Sequence, residues 1–291
     1  MTFGEKLRES RKKAGLSQEE LAEKLNVSRQ AITKWETDNG IPDISNLMSI
    51  SNLFSISVDD FISEEKTAQV VKSRLYESVT EYDIDGKKNF DIKLGSAHQI
   101  SISGSDEEKI KLILSSDSLA NLKQDFKTKI DDIKGRIDVE VHKAKTVSET
   151  CAKNELYIEV ILPNKYVSHV ETDTSCKDLR LSNIICQDFE FDGRADSISI
   201  ESLTGRIEIN CNLDMIIDVG TMSGSIEINQ VKATSRIRIP HEQEFRMVVK
   251  GIGTNVLYEE NGTQAEDFSS SDSENIIEFN GMKSELIIEK I

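Results

Sequence analysis

The sequence predicts a multidomain α + β chain, in which a small bundle of five helices precedes an all-β repeat domain of the β-solenoid kind. In the first part, apolar residues recur at helical spacing. From Phe90 onward, apolar and polar residues alternate with the period of a strand. A seven-residue segment starting at Thr204 returns 19 residues later at Ser223. We therefore divide the chain into a helical domain over 1–63, a linker over 64–89 and a β domain over 90–291.

The helical domain is organised around the stretch 16–36, LSQEELAEKLNVSRQAITKWE. Ser17 with Glu20 three residues later forms a capping box, which starts a helix. Asn26 suits the left-handed residue that ends it. Ser28 then caps a further helix, whose inward face carries Ala31, Ile32 and Trp35 and whose outward face carries Arg29, Gln30, Thr33 and Lys34. Two helices joined by a tight turn, with polar side chains at the start of the second, have the geometry that enters a DNA major groove.

The remaining helices of the bundle are predicted from caps and apolar spacing. The first covers Phe3 to Ala14 and is closed by Gly15, the fourth begins after Asp43, and the fifth begins at Ser57. Trp35 lies on an inward face, which favours core packing over stacking on a base.

The segment RKKAGLSQEELAEKLNVSRQAITKWETDNGIPD resembles the Xre/lambda-repressor-like helix-turn-helix family. This resemblance implies base contacts and phosphate contacts at the matching positions, and an ion pair between Arg11 and Glu36. The base-contacting residues would be Ser28, Arg29, Gln30 and Thr33, and the phosphate-contacting residues Gln18, Lys34 and Asn39. For Asn39, a solvated turn is an equally good interpretation.

The charge is unevenly distributed. The net charge is −16, but residues 1–63 hold 8 Lys and Arg against 10 Asp and Glu, whereas the remainder holds 28 against 42. Basic residues cluster in the first thirty-four positions, so a locally basic face can meet DNA while the acidic part is held away from phosphate.

The proposed linker 64–89 contains VVKSRLYESVTEYDI, which reads equally well as helix or strand. Beyond it, Leu179-Arg-Leu and Ile198-Ser-Ile repeat an apolar-x-apolar core, again 19 residues apart. Short strands repeating at this interval are typical of a solenoid. The last segment, 280–290, is expected to be a terminal strand or a cap on the final open edge.

The repeated [ST]-G-x-I-x-I element and the segment YIEVILPNKY resemble a family of bacterial β-solenoid domains named for candidate adhesins. Adhesion itself is not expected behind a helix-turn-helix domain with no secretion signal.

The sequence offers no pattern for catalysis, a metal or a cofactor. The four cysteines show no CxxC spacing, so a zinc site is not expected, and their positions in or near the strands indicate core packing rather than redox sensing. The histidines show no paired spacing, and we expect no enzyme.

We interpret the chain as a bacterial, cytoplasmic transcription repressor that binds double-stranded DNA as a homodimer, with a regulatory or oligomerisation domain behind it. Two alternatives stay open for the β domain. It can bind a protein partner as a scaffold or antitoxin-like adaptor, with the helix-turn-helix serving autoregulation, or it can sense a small-molecule effector. No membrane partner is expected.

Overall fold

The computed structural model describes residues 3–14, 16–36, 40, 42–54 and 74–291. The chain divides into two compact units, over residues 1–73 and 74–291. The helices are α1 Phe3–Lys13, α2 Gln18–Leu25, α3 Arg29–Glu36, α4 Ile44–Phe54, α5 Leu122–Asp125 and α6 Glu149–Glu155, with a 3₁₀ turn at Asn164–Tyr166. None of the described helices is both long enough and apolar enough to span a membrane.

The first unit is a helical bundle around a small apolar core. Leu7, Leu21, Ile32 and Ile50 are fully buried, and Trp35 is buried beside them. Each of the four described helices therefore contributes at least one residue to one core, because its apolar residues fall on a single face at helical spacing. The predicted fifth helix of this bundle, from Ser57, lies outside the described residues.

The second unit contains eighteen strands. They are β1 Tyr76–Asp83, β2 Lys88–Ser96, β3 Gln99–Ser105, β4 Lys109–Ser116, β5 Phe126–Ile133, β6 Arg136–Lys143, β7 Tyr157–Pro163, β8 Val167–Ser175, β9 Asp178–Ser182, β10 Ile184–Arg194, β11 Ser197–Asn210, β12 Ile216–Val231, β13 Thr234–Ile239, β14 Arg246–Ile252, β15 Asn255–Glu260, β16 Thr263–Ala265, β17 Ile276–Met282 and β18 Glu285–Lys290.

These strands form the predicted solenoid. Each coil lays one strand on each of two parallel stacks, and the next coil repeats them in register, so that Ile207 lies beside Ile226 and Ile198 beside Ile217. The first stack runs β6, β2, β8, β10, β11, β12, β17, β14. The second runs β7, β3, β9, β11, β12, β13, β18, β15. Inward side chains from both stacks form one continuous core, since neither stack can bury its apolar face alone.

The order of the coils differs from the expectation in two places. The segment 280–290 does not cap the stack, because β17 and β18 lie inside it, between β12–β13 on one side and β14–β15 on the other. The proposed linker also ends earlier than predicted. From Arg74 the chain belongs to the second unit, and β1, within 64–89, pairs antiparallel with β4.

Cysteines 176, 186 and 211 are buried in the solenoid core, Cys151 is half-buried, and all four are free thiols. Burial, with nearby aspartates as a smaller cause, raises the pKa of Cys176 and of Cys186 to about 12, which disfavours the reactive thiolate at neutral pH. The core-packing interpretation agrees with this environment.

Candidate nucleic-acid interface

Both ends of α2 are fixed by local hydrogen bonds. The Ser17 hydroxyl accepts from the backbone N–H of Glu20 at 3.2 Å, and the Glu20 carboxylate accepts from the N–H of Ser17 at 2.7 Å. Asn26 ends α2 in the left-handed conformation, with φ 52° and ψ 45°, and its N–H reaches the last carbonyls of the helix. Both predicted signals are thus present, and the left-handed Asn26 turns the chain from α2 toward α3.

Helix α3 presents its polar face to solvent. Ser28 starts the helix by accepting from the N–H of Ala31 at 3.2 Å. The exposed side chains are those of Arg29, Gln30, Thr33 and Lys34, and with Ser28 they make up what we term the α3 ridge. On the opposite face, Ile32 and Trp35 are buried in the core. The predicted division of the helix into inner and outer faces is therefore present.

A buried carboxylate ties the three helices together. Glu36 accepts from the Arg11 guanidinium, with Nε to Oε1 at 2.5 Å and Nη2 to Oε2 at 3.0 Å. Arg11 also donates to the carbonyl of Leu16 at 2.8 Å, so one side chain holds both the end of α3 and the segment that leads into α2. Burial alone would raise the pKa of Glu36, but the hydrogen bonds from Arg11 and Gln18 outweigh it and hold that pKa below its usual value.

Gln18 has a role that the resemblance did not suggest. Its amide donates to Glu36 at 2.9 Å, and its carbonyl oxygen accepts from the Thr33 hydroxyl at 3.4 Å. The side chain therefore bridges the first residue of α2 to α3. Because the Gln18 side-chain amide is engaged within the bundle, any phosphate contact at the start of α2 would depend on the backbone N–H groups that a helix leaves unbonded in its first turn.

Arg29 is held only loosely. Its Nε lies 3.8 Å from a carboxylate oxygen of Glu19, and both side chains are 64% exposed. Such exposed pairs contribute about 0–1 kcal/mol, so the guanidinium can leave Glu19 for a base at little cost. Lys34 lies exposed in the last turn of α3, and Asn39 lies outside the described residues.

Comparison with known proteins places this unit in a family. A helix-turn-helix family model matches residues 7–61. The chain is 34% identical over 86 residues to the HTH-type transcriptional regulator ImmR of Bacillus subtilis, an alignment that covers 28% of this chain and 68% of ImmR. The chain belongs to the helix-turn-helix family.

The alignments of this helix-turn-helix chain with two further relatives cover smaller shares of those relatives. The HTH-type transcriptional activator BcrR of Enterococcus faecalis is 47% identical over 66 residues, which is 23% of this chain and 32% of BcrR. The immunity repressor protein of Bacillus phage phi105 is 33% identical over 84 residues, which is 29% of this chain and 58% of the repressor. The chain thus spans about a third of the activator and somewhat more than half of the repressor.

Among solved structures, a candidate adhesin from Bacteroides fragilis is similar over 75% of this chain and 99% of its own, at 12% identity and a TM-score of 0.40.

Proposed function

We propose that this helix-turn-helix regulator represses transcription in the cytoplasm by binding, as a homodimer, to a two-fold DNA site. The observation that carries the proposal is the α3 ridge, a solvent-facing row of polar side chains on a helix whose other face is buried. A helix of this shape lies in the major groove with its first residues against base edges. The immunity repressor among the relatives supports repression as the sign of the effect.

Within this proposal the residues of the α3 ridge contact different parts of the DNA. The Arg29 guanidinium suits the O6 and N7 acceptors of guanine, and the Gln30 amide suits adenine, each with about 1–3 kcal/mol of discrimination. Ser28 and Thr33 would reach neighbouring bases with their hydroxyl groups. Lys34 and the start of α2 at Gln18 would contact phosphate, which fixes register without reading sequence. Asn39 stays a proposed phosphate contact.

One helix-turn-helix unit offers few base contacts, so a second copy is needed for useful affinity. Two units related by a two-fold axis would bind half-sites about one helical turn, roughly 34 Å, apart. The acidic second unit would reduce non-specific binding to DNA, because its negative field repels phosphate.

The test is the double substitution of Arg29 and Gln30 by Ala, measured on sites selected from genomic DNA. We expect the ratio of specific to non-specific affinity to fall at least about tenfold, because the two discriminating contacts are lost. Arg136→Ala is the charge-matched control, since Arg136 is an exposed cation of the second unit that pairs with Asp138. If the double variant keeps the selectivity of the control at the same salt concentration, the ridge does not read the operator.

A further inference from the structure

One end of the solenoid is left open. Strand β14 pairs with β17 along one edge, and among the described residues its other edge pairs with no strand. At the opposite end of the stacks, the antiparallel strands β5 and β4 follow β6 and β7. The coil made of β14 and β15 is therefore the terminal coil on its side, and β14 offers unpaired backbone N–H and C=O groups.

The core is only partly covered at this end: Phe268, after β16, packs edge-on against Phe245 and Tyr258, and the coverage does not extend to Val249. Val249 continues an inward column in which Phe279 and Ile228 are fully buried, yet Val249 itself is 49% exposed. On the outward face of the same strand, Ile252 is 79% exposed at the end of a row that continues through Met282 and Val231, which are also exposed. Repeat proteins usually hide the apolar face of their last repeat, so a partner is expected to cover these side chains.

The same end carries opposite charges on its two edges. Strand β14, on the first stack, bears the exposed cations Arg246 and Lys250, of which Lys250 also pairs with Glu278 of the same copy at 2.6 Å. The hairpin β15–β16, on the second stack, and the residues after it bear the exposed carboxylates Glu260, Glu266 and Asp267. A two-fold axis that exchanges the two stacks would set each basic edge against the acidic edge of another copy.

We propose that a second copy of this chain docks on the open end, which we term the β14 end, to form a symmetric dimer. Each β14 edge lies against the partner's hairpin β15–β16, and Val249 and Ile252 become buried between the two copies. The self-complementary charges favour a second copy over an unrelated partner, and the two-fold arrangement closes after two chains, whereas head-to-tail stacking would continue into a fibre. This inference rests on the proposed function, since it names the surface that forms the regulator's homodimer.

The test measures the mass of the full chain in solution without DNA, by sedimentation equilibrium over a range of concentrations. We expect the wild type to have twice the chain mass of 32.7 kDa. Val249→Lys places a charge in the interface and should raise the dimer dissociation constant by at least about a hundredfold, or about 2.8 kcal/mol. Ile185→Lys is the matched control, because Ile185 is 54% exposed on β10 in the middle of the stack.

A second variant tests the interface independently, in case Val249→Lys does not fold. Arg246→Glu changes an exposed side chain, so the fold should persist, and it should weaken the dimer by reversing one charge of each basic edge. Higher salt should likewise weaken the wild-type dimer, because it screens the paired edges. A monomeric wild type, assemblies that keep growing with concentration, or dimers equally stable in both variants and the control would each overturn the inference.

The outcomes separate this inference from the proposed function. If the dimer persists in both variants and the operator is still bound, the regulator dimerises through another surface. If the variants become monomeric but the wild type binds no operator, the β14 dimer stands and the proposed function falls.

Discussion

At the residue scale, burial distinguishes two ion pairs of the first unit, Arg11–Glu36 and Arg29–Glu19. The Glu36 side chain is 2% exposed and that of Arg11 is 11% exposed, so the pair is largely shielded from water. The Arg29–Glu19 pair of the same unit is 64% exposed on both sides. Burial decides between them, because an unpartnered charge is costly only where water cannot solvate it.

Arg11→Ala should therefore destabilise the first unit by about 3–5 kcal/mol, since it leaves the Glu36 carboxylate buried with Gln18 as its remaining partner. Arg29→Ala, the control, should cost at most about 1 kcal/mol. Trp35 is the single tryptophan and is buried in this unit, so its fluorescence during urea unfolding reports the unit selectively. Equal losses in the two variants would show that Glu36 does not need its partner.

Because the folded-state pKa of Glu36 is lowered, its ionised form stabilises the fold. The stabilisation is present above the ordinary glutamate pKa, about 4.3, and is lost as the pH falls through the lower folded-state value. The difference between wild type and Arg11→Ala should therefore shrink in acid.

At the element scale, glycines make the corners of the coils. Gly205 and Gly224 are neighbours in the stack, with φ of 127° and 140°. A Cβ on Gly224 would lie 1.9 Å from the carbonyl oxygen of Gly205, a backbone atom that cannot move aside. The [ST]-G of the repeat is thus required both by conformation and by the close approach of successive coils.

Gly224→Ala should destabilise the second unit by more than about 3 kcal/mol, because the clash adds to a conformational strain of about 1–3 kcal/mol. Gly262→Ala is a suitable control, since Gly262 has φ 73° but open space around it, and it should cost the strain alone. Thermal unfolding followed by the β-sheet circular dichroism signal measures both. The prediction fails if the two variants melt together.

The order of the coils could be predicted from the sequence only in part. The exact repeat of IEIN at Ile207 and Ile226 predicted neighbouring coils, and they are neighbours. The segment IEFN at Ile277 is a similar third copy, and Ile277 pairs with Ile226. It does not follow at the 19-residue interval, so a search at that interval misses it. Because all coils share the same alternating pattern, local sequence cannot choose which coil lies beside which. In the first unit, caps and faces were predictable, but the bridge from Gln18 to Glu36 depends on tertiary packing.

At the scale of the whole molecule, a row of acidic side chains lies on one face of the second unit. Seven acidic residues lie side by side on successive strands of the first stack: Asp138, Asp91, Glu171, Glu190, Glu208, Glu227 and Glu278. Cations relieve parts of this column, as Lys250 does at Glu278 and Arg206 at Glu208 and Glu227. Lys93 at Asp91 and Arg136 at Asp138 do the same, so four cations are paired with these seven carboxylates, and carboxylates that lie side by side repel one another.

Two members of the column should respond to substitution in opposite directions. Partial burial, and then Glu208, Asp192 and Glu171, raise the pKa of Glu190, so its charged form destabilises the fold at neutral pH. A hydrogen bond from Lys250 lowers the pKa of Glu278, so its charge stabilises the fold. Glu190→Gln should therefore raise the melting temperature of the second unit at pH 7, and Glu278→Gln should lower it.

The differences in melting temperature between each variant and the wild type should disappear in acid, over a different pH range for each variant. For Glu190 the penalty disappears as the pH falls from its raised pKa toward the ordinary glutamate value of about 4.3, because the folded state takes up a proton there. For Glu278 the benefit persists to lower pH, since its folded-state pKa lies below that value. Melting temperatures of both variants and the wild type between about pH 3 and pH 8 measure this, with the two variants carrying the same change in charge. Shifts of the same sign at neutral pH would mean that net charge alone, and not the local partner of each carboxylate, sets the stability of this face.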